Sequence, residues 1–352
     1  MKTSPRIPLC LLLGCAAWLP VQAAPSLESY ALTAAGTSLL GAAGYPFSCA
    51  TFGPDPRTAW FQSVFQVGLP TDGPVCGVAS DSRGLVAASG PVQVAATLAV
   101  GWSSGGDPRA FVGSARGRAG YGDLGASAAG SYSGSSDSFT VTGSQAFGLQ
   151  TESMTFGGAS GAGLFRPTFT VDGSLFNLGR TDSQLAFFYS VGNGPHYLAF
   201  RIQNSRGSVS YYTPGGYVSS LPGMTLTGDL ATGLTVSGST TFSIDVPIQF
   251  GTAFDVTYGL WAATLPASSV GLLTASAGDV AFLTSARMTG IQVFDNAGQA
   301  LSAFTVSSGS GIPYGAAGVL PAVPEPGSGL LMGLGLAGLW AWAARRQGAG
   351  AA

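Results

Sequence analysis

Apolar and polar residues alternate with a period of two through much of the middle of the chain. From Phe242 to Phe250, five apolar residues fall on one side, and Ser, Asp, Pro and Gln fall on the other. A β-strand places successive side chains on opposite faces, so this pattern predicts a half-buried strand, and Pro247 predicts that it lies at an edge. Residues 253–262 repeat the pattern, and Gly251-Thr252 between the two segments predicts a tight hairpin.

Further alternating segments, separated by turn sequences rich in Gly, Pro, Asn and Asp, predict that the whole body is built from strands. They are residues 168–171, 184–191, 197–203 and 290–294. We therefore predict an all-β body over residues 24–318, in the form of an antiparallel β-sandwich or jelly roll. A glycine-rich β-solenoid is the alternative, although the chain shows no fixed repeat period.

The section 101–163 is dense in Gly, Ser and Ala. It is open to two interpretations, a flexible linker or strands made of small residues. Aromatic residues such as Phe111, Tyr121 and Tyr132 are interspersed through it, and they favour strands.

Charged residues make up only 9% of the chain, against about 25% in typical proteins. Lys2 is the only lysine, and between Ala24 and Pro326 ten arginines face sixteen acids, which gives a net charge of −6. Nucleic acids and anionic lipids bind clustered positive charge, which this region lacks. We therefore predict no nucleic-acid partner.

The first 23 residues have the form of a secretory signal peptide. Two positive charges precede an apolar stretch from Ile7 to Leu19, and the chain then reaches Val21-Gln22-Ala23 before Ala24, a small-residue cleavage site. We predict that a signal peptidase cuts after Ala23. The alternative treats the Leu-Leu-Gly sequence before Cys15 as a lipoprotein box with an acylated Cys15.

Near the other end, Gly327 to Ala344 is an uncharged run of 18 residues. As a helix it would rise roughly 27 Å, enough to span a thin bilayer. Arg345 and Arg346 follow directly and predict that the tail 345–352 lies in the cytoplasm. The body then lies on the opposite side of the membrane, as a signal peptide also requires.

Just before this helix the chain reads Val323-Pro324-Glu325-Pro326, at the end of a linker over residues 319–326. Each proline lacks an amide proton and holds the residue before it in an extended conformation. The chain outside the membrane is therefore expected to be non-helical and accessible, as a processing enzyme requires.

The Pro-Glu-Pro motif, the Leu/Gly-rich helix and the Arg345-Arg346 pair, in this order, resemble the PEP-CTERM sorting signal of Gram-negative bacteria. The resemblance implies recognition by an exosortase, an integral membrane enzyme thought to cut near the motif. The protein would then be anchored in the inner membrane for a time before it reaches the cell surface or the medium. The resemblance also implies an association with exopolysaccharide and biofilm.

Cys49 and Cys76 are the two cysteines outside the predicted leader. In an exported chain such a pair predicts a disulfide. Across the 27 positions from Cys49 to Cys76, it would contribute at most roughly 3 to 4 kcal/mol to stability. Two buried free thiols are the alternative.

The segment 101–105, Gly-Trp-Ser-Ser-Gly, fits the G-x-S-x-G pattern of a nucleophile elbow centred on Ser103. With Asp172 or Asp182 and then His196, the chain order Ser, Asp, His matches that of a hydrolase triad. An elbow needs a helix after the serine, and the sequence that follows contains Gly and Pro and has no helical period. We expect no catalytic residue, and a serine hydrolase is a remote alternative.

No metal site and no cofactor are predicted. His196 is the only histidine, so a zinc site lacks ligands. Asp295-Asn296, Asp72 and Asp81 offer oxygen ligands to calcium, but none has the spacing of a calcium loop. We favour turn formation as the role of these residues.

Tyr211, Tyr212 and Tyr217 lie around a predicted turn in the sequence YYTPGGY. Flat aromatic faces can stack on sugar rings while the phenol groups form hydrogen bonds. The three tyrosines are therefore a weak candidate for sugar binding. We favour the alternative, that they are ordinary aromatic residues of a sheet.

Together these features predict a non-enzymatic protein of the cell surface or extracellular matrix, exported and then processed at its Pro-Glu-Pro region. A carbohydrate-binding module of the matrix is the alternative function. The expected partners are a signal peptidase, an exosortase-type enzyme, the membrane through residues 327–344, and exopolysaccharide.

Overall fold

A computed structural model describes residues 24–37, 79–104, 106–134, 140–179, 181–192, 194, 196–205, 208–229, 231–267 and 275–319. Within these ranges the chain forms nineteen β-strands and no helix, which confirms the all-β prediction. No apolar helix long enough to cross a membrane occurs in this part of the chain. The predicted signal peptide and the predicted helix 327–344 lie outside it.

In chain order the strands are β1 (Ser26–Thr37), β2 (Ala79–Ala87), β3 (Val92–Ser104), β4 (Asp107–Gly120), β5 (Asp123–Gly134), β6 (Thr140–Gly157), β7 (Ala162–Leu178), β8 (Asp182–Val191), β9 (His196–Ser205), β10 (Ser208–Thr213), β11 (Gly216–Val218), β12 (Met224–Asp229), β13 (Gly233–Ser243), β14 (Val246–Gln249), β15 (Phe254–Ala267), β16 (Ala275–Phe294), β17 (Thr305–Ser308), β18 (Tyr314–Gly315) and β19 (Gly318–Val319).

Two large antiparallel sheets pack face to face. The first sheet has the order β11-β10-β9-β8-β15-β6-β1-β2, and β17 pairs with β6 beyond the end of β1. The second sheet has the order β12-β13-β7-β16-β5-β4-β3, and β14 pairs with β7 beyond the end of β13. One core of inward-facing apolar residues lies between them. The architecture is an antiparallel β-sandwich.

The predicted hairpin at Gly251-Thr252 is wrong. Strand β14, before the turn, pairs with β7 in the second sheet, whereas β15, after the turn, pairs with β6 and β8 in the first. The turn carries the chain across the core, so the inward apolar rows of the two strands belong to opposite sheets. The segment 242–250 is also not one strand, because it is interrupted at Ile244-Asp245. Among the described strands β14 has one partner, as expected for an edge containing Pro247.

The described residues of the Gly/Ser/Ala-rich section form mainly strands, and two of its glycines bring the two sheets into backbone contact. A Cβ atom added at Gly117 of β4 would lie 2.4 Å from the carbonyl oxygen of Phe147 in the first sheet. One added at Gly148 of β6 would lie 1.9 Å from the carbonyl oxygen of Arg118 in the second sheet. Neither position has room for a side chain, so this half of the sandwich is thin.

From Gly148 onward, the inward side chains of β6 increase in size towards Phe156. The inward residues are, in order, Ala146, Gly148, Gln150, Glu152, Met154 and Phe156. At the far end Phe156 packs on Phe165 of β7, with ring centroids 4.7 Å apart, and Phe169 packs on Phe187 at 4.8 Å. The sandwich therefore widens along β6, from the glycine contact to an aromatic core.

The outer faces of the two sheets differ. On the first sheet, Phe188 and Trp261 are buried together with two alanines. On the second sheet, hydroxyl groups of β7 and β13 pair across the strands, as between Thr168 Oγ1 and Ser243 Oγ at 2.9 Å, and these residues are exposed. The outer side of the second sheet therefore carries a row of paired hydroxyls, next to the Arg166–Asp245 ion pair.

Glu152 places a fully buried carboxylate in the middle of the inward row of β6. Its Oε1 accepts hydrogen bonds from the backbone N–H groups of Ser153, at 3.2 Å, and Ser310, at 3.0 Å. Its Oε2 accepts bonds from the hydroxyl of Ser310 and, at 3.3 Å, from that of Tyr314. Among the described residues its hydrogen-bond partners are all uncharged groups, so hydrogen bonds offset the cost of burying the acid.

Three tyrosines of this region, Tyr121, Tyr258 and Tyr314, have raised pKa values. Burial, and secondly the charge of Glu152, raises the pKa of Tyr121 to about 12. The same two causes, in the same order, raise the pKa of Tyr314. Burial, followed by the proximity of Tyr189, raises the pKa of Tyr258. Each of these phenols therefore holds its proton more tightly in the folded chain than in the unfolded chain.

We predict that Gly148→Ala lowers the free energy of unfolding by about 3 kcal/mol, because the added methyl group meets a backbone oxygen of the facing sheet. Gly101→Ala is the matched control. Its Cβ would lie 3.6 Å from the carbonyl oxygen of Arg109, an ordinary contact on an exposed position, and we expect a change of less than about 0.5 kcal/mol. Urea unfolding followed by tryptophan fluorescence measures both. Equal effects of the two substitutions would contradict the backbone contact.

We also predict alkaline destabilisation. The unfolded tyrosines titrate near pH 10, and Tyr121 in the folded chain titrates near 12. Stability should be constant up to about pH 10 and should fall as the pH rises through 12, because the unfolded state releases protons first. The Tyr121→Phe variant should lose stability less steeply. Urea unfolding at pH 8 to 12, with absorbance at 295 nm to follow the phenolates, measures this, and a flat profile would refute it.

Candidate functional site

Most residues that the sequence singles out for sorting lie outside the described part of the chain. These are Val323, Pro324, Glu325, Pro326, Arg345 and Arg346. The cysteines Cys15, Cys49 and Cys76, and Asp72, lie outside it as well. The described residues do show the segment that leads to the sorting motif, and we call residues 305–319 the C-terminal strap.

The C-terminal strap is fixed to the first sheet at its start. Strand β17 pairs with the end of β6, from Thr305 opposite Gly157 to Ser308 opposite Met154. The next amide, of Gly309, donates a hydrogen bond to the carbonyl oxygen of Ser153 at 2.7 Å. A Cβ on this glycine would lie 2.8 Å from Pro25, so the beginning and the end of the body lie side by side.

The strap is fixed again at its end. Tyr314 and Val319 pair in the β18–β19 hairpin, and the Ile291 amide of β16 donates to the carbonyl oxygen of Ala316 at 3.0 Å. Between the two fixed ends, Ser310 and the buried side chain of Tyr314 reach the carboxylate of Glu152. The strap therefore contacts both sheets.

Sequence reasoning missed Glu152 and its partners. One signal was present in the sequence. Glu152 lies two positions before Met154 and four before Phe156, so in a strand it falls on the same face as these apolar residues. Its hydrogen-bond donors come from residues 158 and 162 positions later in the chain. Nothing in the local pattern points to them.

The three candidate tyrosines separate into two environments. Tyr211 is only 4% exposed and lies in the core, and burial raises its pKa. Tyr212 and Tyr217 lie opposite each other on β10 and β11, with ring centroids 6.1 Å apart in an edge-to-face arrangement. Consecutive strand residues point to opposite faces, which explains the separation of Tyr211 from Tyr212.

Tyr212 and Tyr217 form an aromatic platform with Arg201 of β9. The Arg201 guanidinium lies over the Tyr212 ring, 4.2 Å from its centroid, and Arg201 is the cross-strand neighbour of Tyr212. Tyr217 is 64% exposed. The platform thus presents one open aromatic face beside a second ring that an arginine covers. This geometry suits stacking on a flat, uncharged ring.

Residues 101–104 of the G-x-S-x-G segment form the end of strand β3. Ser103 is near the end of β3 and pairs with Pro108 of β4, so a strand, and not a helix, is the next described element. Asp172 lies on β7, Asp182 begins β8 and His196 begins β9. The strand-to-helix turn that a nucleophile elbow needs is not formed by these residues.

The acids proposed for calcium make hydrogen bonds to nearby backbone. Asp295 Oδ1 accepts from the amides of Ala297 and Gln299, both at 2.9 Å, which shapes the turn after β16. Asp81 Oδ2 accepts from the Thr97 amide of β3 at 3.0 Å and so joins the edges of the two sheets.

Comparison with known proteins gives one finding. The family model of the PEP-CTERM protein-sorting motif matches residues 322–346. Neither the curated proteins nor the solved structures give a match. The matched range contains the Pro-Glu-Pro sequence and both arginines on which the resemblance rests. The chain therefore carries a PEP-CTERM protein-sorting motif, the exosortase-targeted signal of an exported, surface-directed protein.

Proposed function

We propose that the chain is a non-enzymatic structural protein of the cell surface or extracellular matrix. After export it is held in the membrane by helix 327–344 until an exosortase-type enzyme cuts near Val323–Pro326. The observation that carries the proposal is the sorting motif at residues 322–346. It begins three positions after the last described residue of the folded body.

The body has properties that support a structural role. Its strands are long, up to 20 residues in β16, and they pair into two large antiparallel sheets. Only 9% of the chain is charged, and the outer face of the second sheet carries paired hydroxyls. A surface with many hydroxyls and few charges can contact hydrated polysaccharide mainly through uncharged hydrogen bonds, which depend less on salt than ion pairs do.

We predict that the protein recovered from the native cell surface or medium has an intact mass ending between Val323 and Gly327. Replacing Pro324, Glu325 and Pro326 together by alanine should keep the helix attached, because the extended recognition segment is lost. Gln347→Ala, beyond the arginine pair, is the control and should be processed normally. A native protein that retains the chain to Ala352 would falsify the processing step.

A second candidate function, sugar binding in an exopolysaccharide matrix, is favoured by the aromatic platform of Arg201, Tyr212 and Tyr217. The platform lies at the edge of the first sheet, where β9, β10 and β11 place the three side chains in one cross-strand row. Tyr211 does not belong to the platform, because it is buried in the core.

For this candidate we predict that the Tyr212→Ala/Tyr217→Ala variant loses retention on the host's own polysaccharide by about tenfold, the equivalent of about 1.4 kcal/mol. Tyr197→Ala, which removes another exposed tyrosine from β9, is the matched control and should bind normally. Affinity electrophoresis in gels containing the polysaccharide measures both. Unchanged mobility of the platform variant would refute sugar binding by the platform, and the structural role would be the only proposed function that remains.

A further inference from the structure

Glu152 is the only acid among the buried residues of the described ranges. A carboxylate without water needs several donors, and its burial is costly when they are removed. Exchanging a buried polar contact for packed apolar side chains is often neutral or stabilising. Stability alone therefore does not account for an acid at this position of β6.

The donors to Glu152 come mostly from the C-terminal strap. Three of them, the Ser310 amide, the Ser310 hydroxyl and the Tyr314 hydroxyl, belong to the strap, and only the Ser153 amide belongs to β6. If the strap leaves, the carboxylate loses three of its four hydrogen bonds. The acid and the strap therefore hold each other in place.

The same contact determines how much free chain precedes the sorting motif. Val319 is the last residue of the β18–β19 hairpin, and the motif match begins at residue 322. Val323 lies four positions after Val319, and a fully extended chain over these four steps spans at most about 14 Å. The folded β-sandwich thus ends within about 14 Å of Val323, where the segment that a processing enzyme must bind begins.

We propose that Glu152 is a positioning residue for processing: it anchors the C-terminal strap and so restricts the access of the exosortase-type enzyme to the motif. The inference rests on the proposed function. An enzyme that binds extended backbone needs several free residues on each side of the cut. While the strap is anchored, the residues on the N-terminal side of the cut are held in the folded body and are not free to bind the enzyme.

The first experiment measures the anchor without any cleavage. The full chain, purified in detergent, is compared with its Tyr314→Phe, Ser310→Ala and Glu152→Gln variants by hydrogen exchange. We expect peptides covering residues 309–319 to exchange at least about tenfold faster in each variant, and peptides from β5 to be unchanged. Ser310→Thr, which keeps the hydroxyl, and Ser307→Ala, on an exposed position of β17, should behave like the parent chain.

Tyr314→Phe retains the buried ring and removes only the hydroxyl, so it reports on the anchor even if the other variants fold poorly. If the strap peptides of this variant exchange at the parent rate, the anchor does not exist and the proposal is overturned.

The second experiment measures access in the native host. Pulse-chase labelling follows the conversion of full-length to processed protein. We expect conversion to be at least about twofold faster in Tyr314→Phe, and equally faster when six Gly/Ser residues are inserted after Leu320. The insertion should leave strap exchange unchanged, which separates access from stability.

Equal conversion rates in the parent, Tyr314→Phe and insertion chains would overturn the restriction of access. If no chain is cut, the parent included, the proposed processing fails and the restriction fails with it. The hydrogen-exchange result then decides by itself whether Glu152 anchors the strap.

Discussion

The backbone contact between the two sheets at Gly117 and Gly148 is the constraint on which the rest of the sandwich depends. A side chain at either position would lie within 2.4 Å of a carbonyl oxygen in the facing sheet, so only glycine allows the observed spacing. Glycine costs conformational entropy in a strand, and long, fully paired neighbours offset that cost. At these two positions of the glycine-rich section, glycine therefore serves the close packing of two sheets.

The widening of the sandwich follows from this contact. Because the sheets touch at Gly148 and are held apart by rings at Phe156, the intervening positions of β6 line a space of intermediate width. Gln150 and Glu152 occupy it, and Gln150 Oε1 accepts a bond from the Gly122 amide at 2.6 Å. Polar side chains in a core need partners, and the C-terminal strap supplies those of Glu152. The glycine contact and the buried acid therefore follow one another along β6, and the strap binds the acid.

The sequence pattern predicts some of these features and not others, for identifiable physical reasons. Alternation identifies strands and their buried faces, and it gave the antiparallel sandwich. Alternation does not identify which strands pair with each other. The pattern therefore predicts a hairpin of β14 and β15, although these strands lie in opposite sheets. The same alternation separates Tyr211 from Tyr212, a distinction available from their adjacent positions alone. The contact of Glu152 with Ser310 joins residues 158 positions apart, and no local pattern reports it. The sorting motif was predictable because it is a contiguous signal.

The placement of β1 has a consequence for secretion. This first strand is an interior strand of its sheet, between β2 and β6, and Pro25 before it lies against Gly309. The first sheet is also incomplete until β17 has paired with β6. A chain exported from its N-terminus onward cannot close this domain until nearly all of it has crossed the membrane. Maturation of the fold and arrival of the sorting signal at the membrane then become almost simultaneous events.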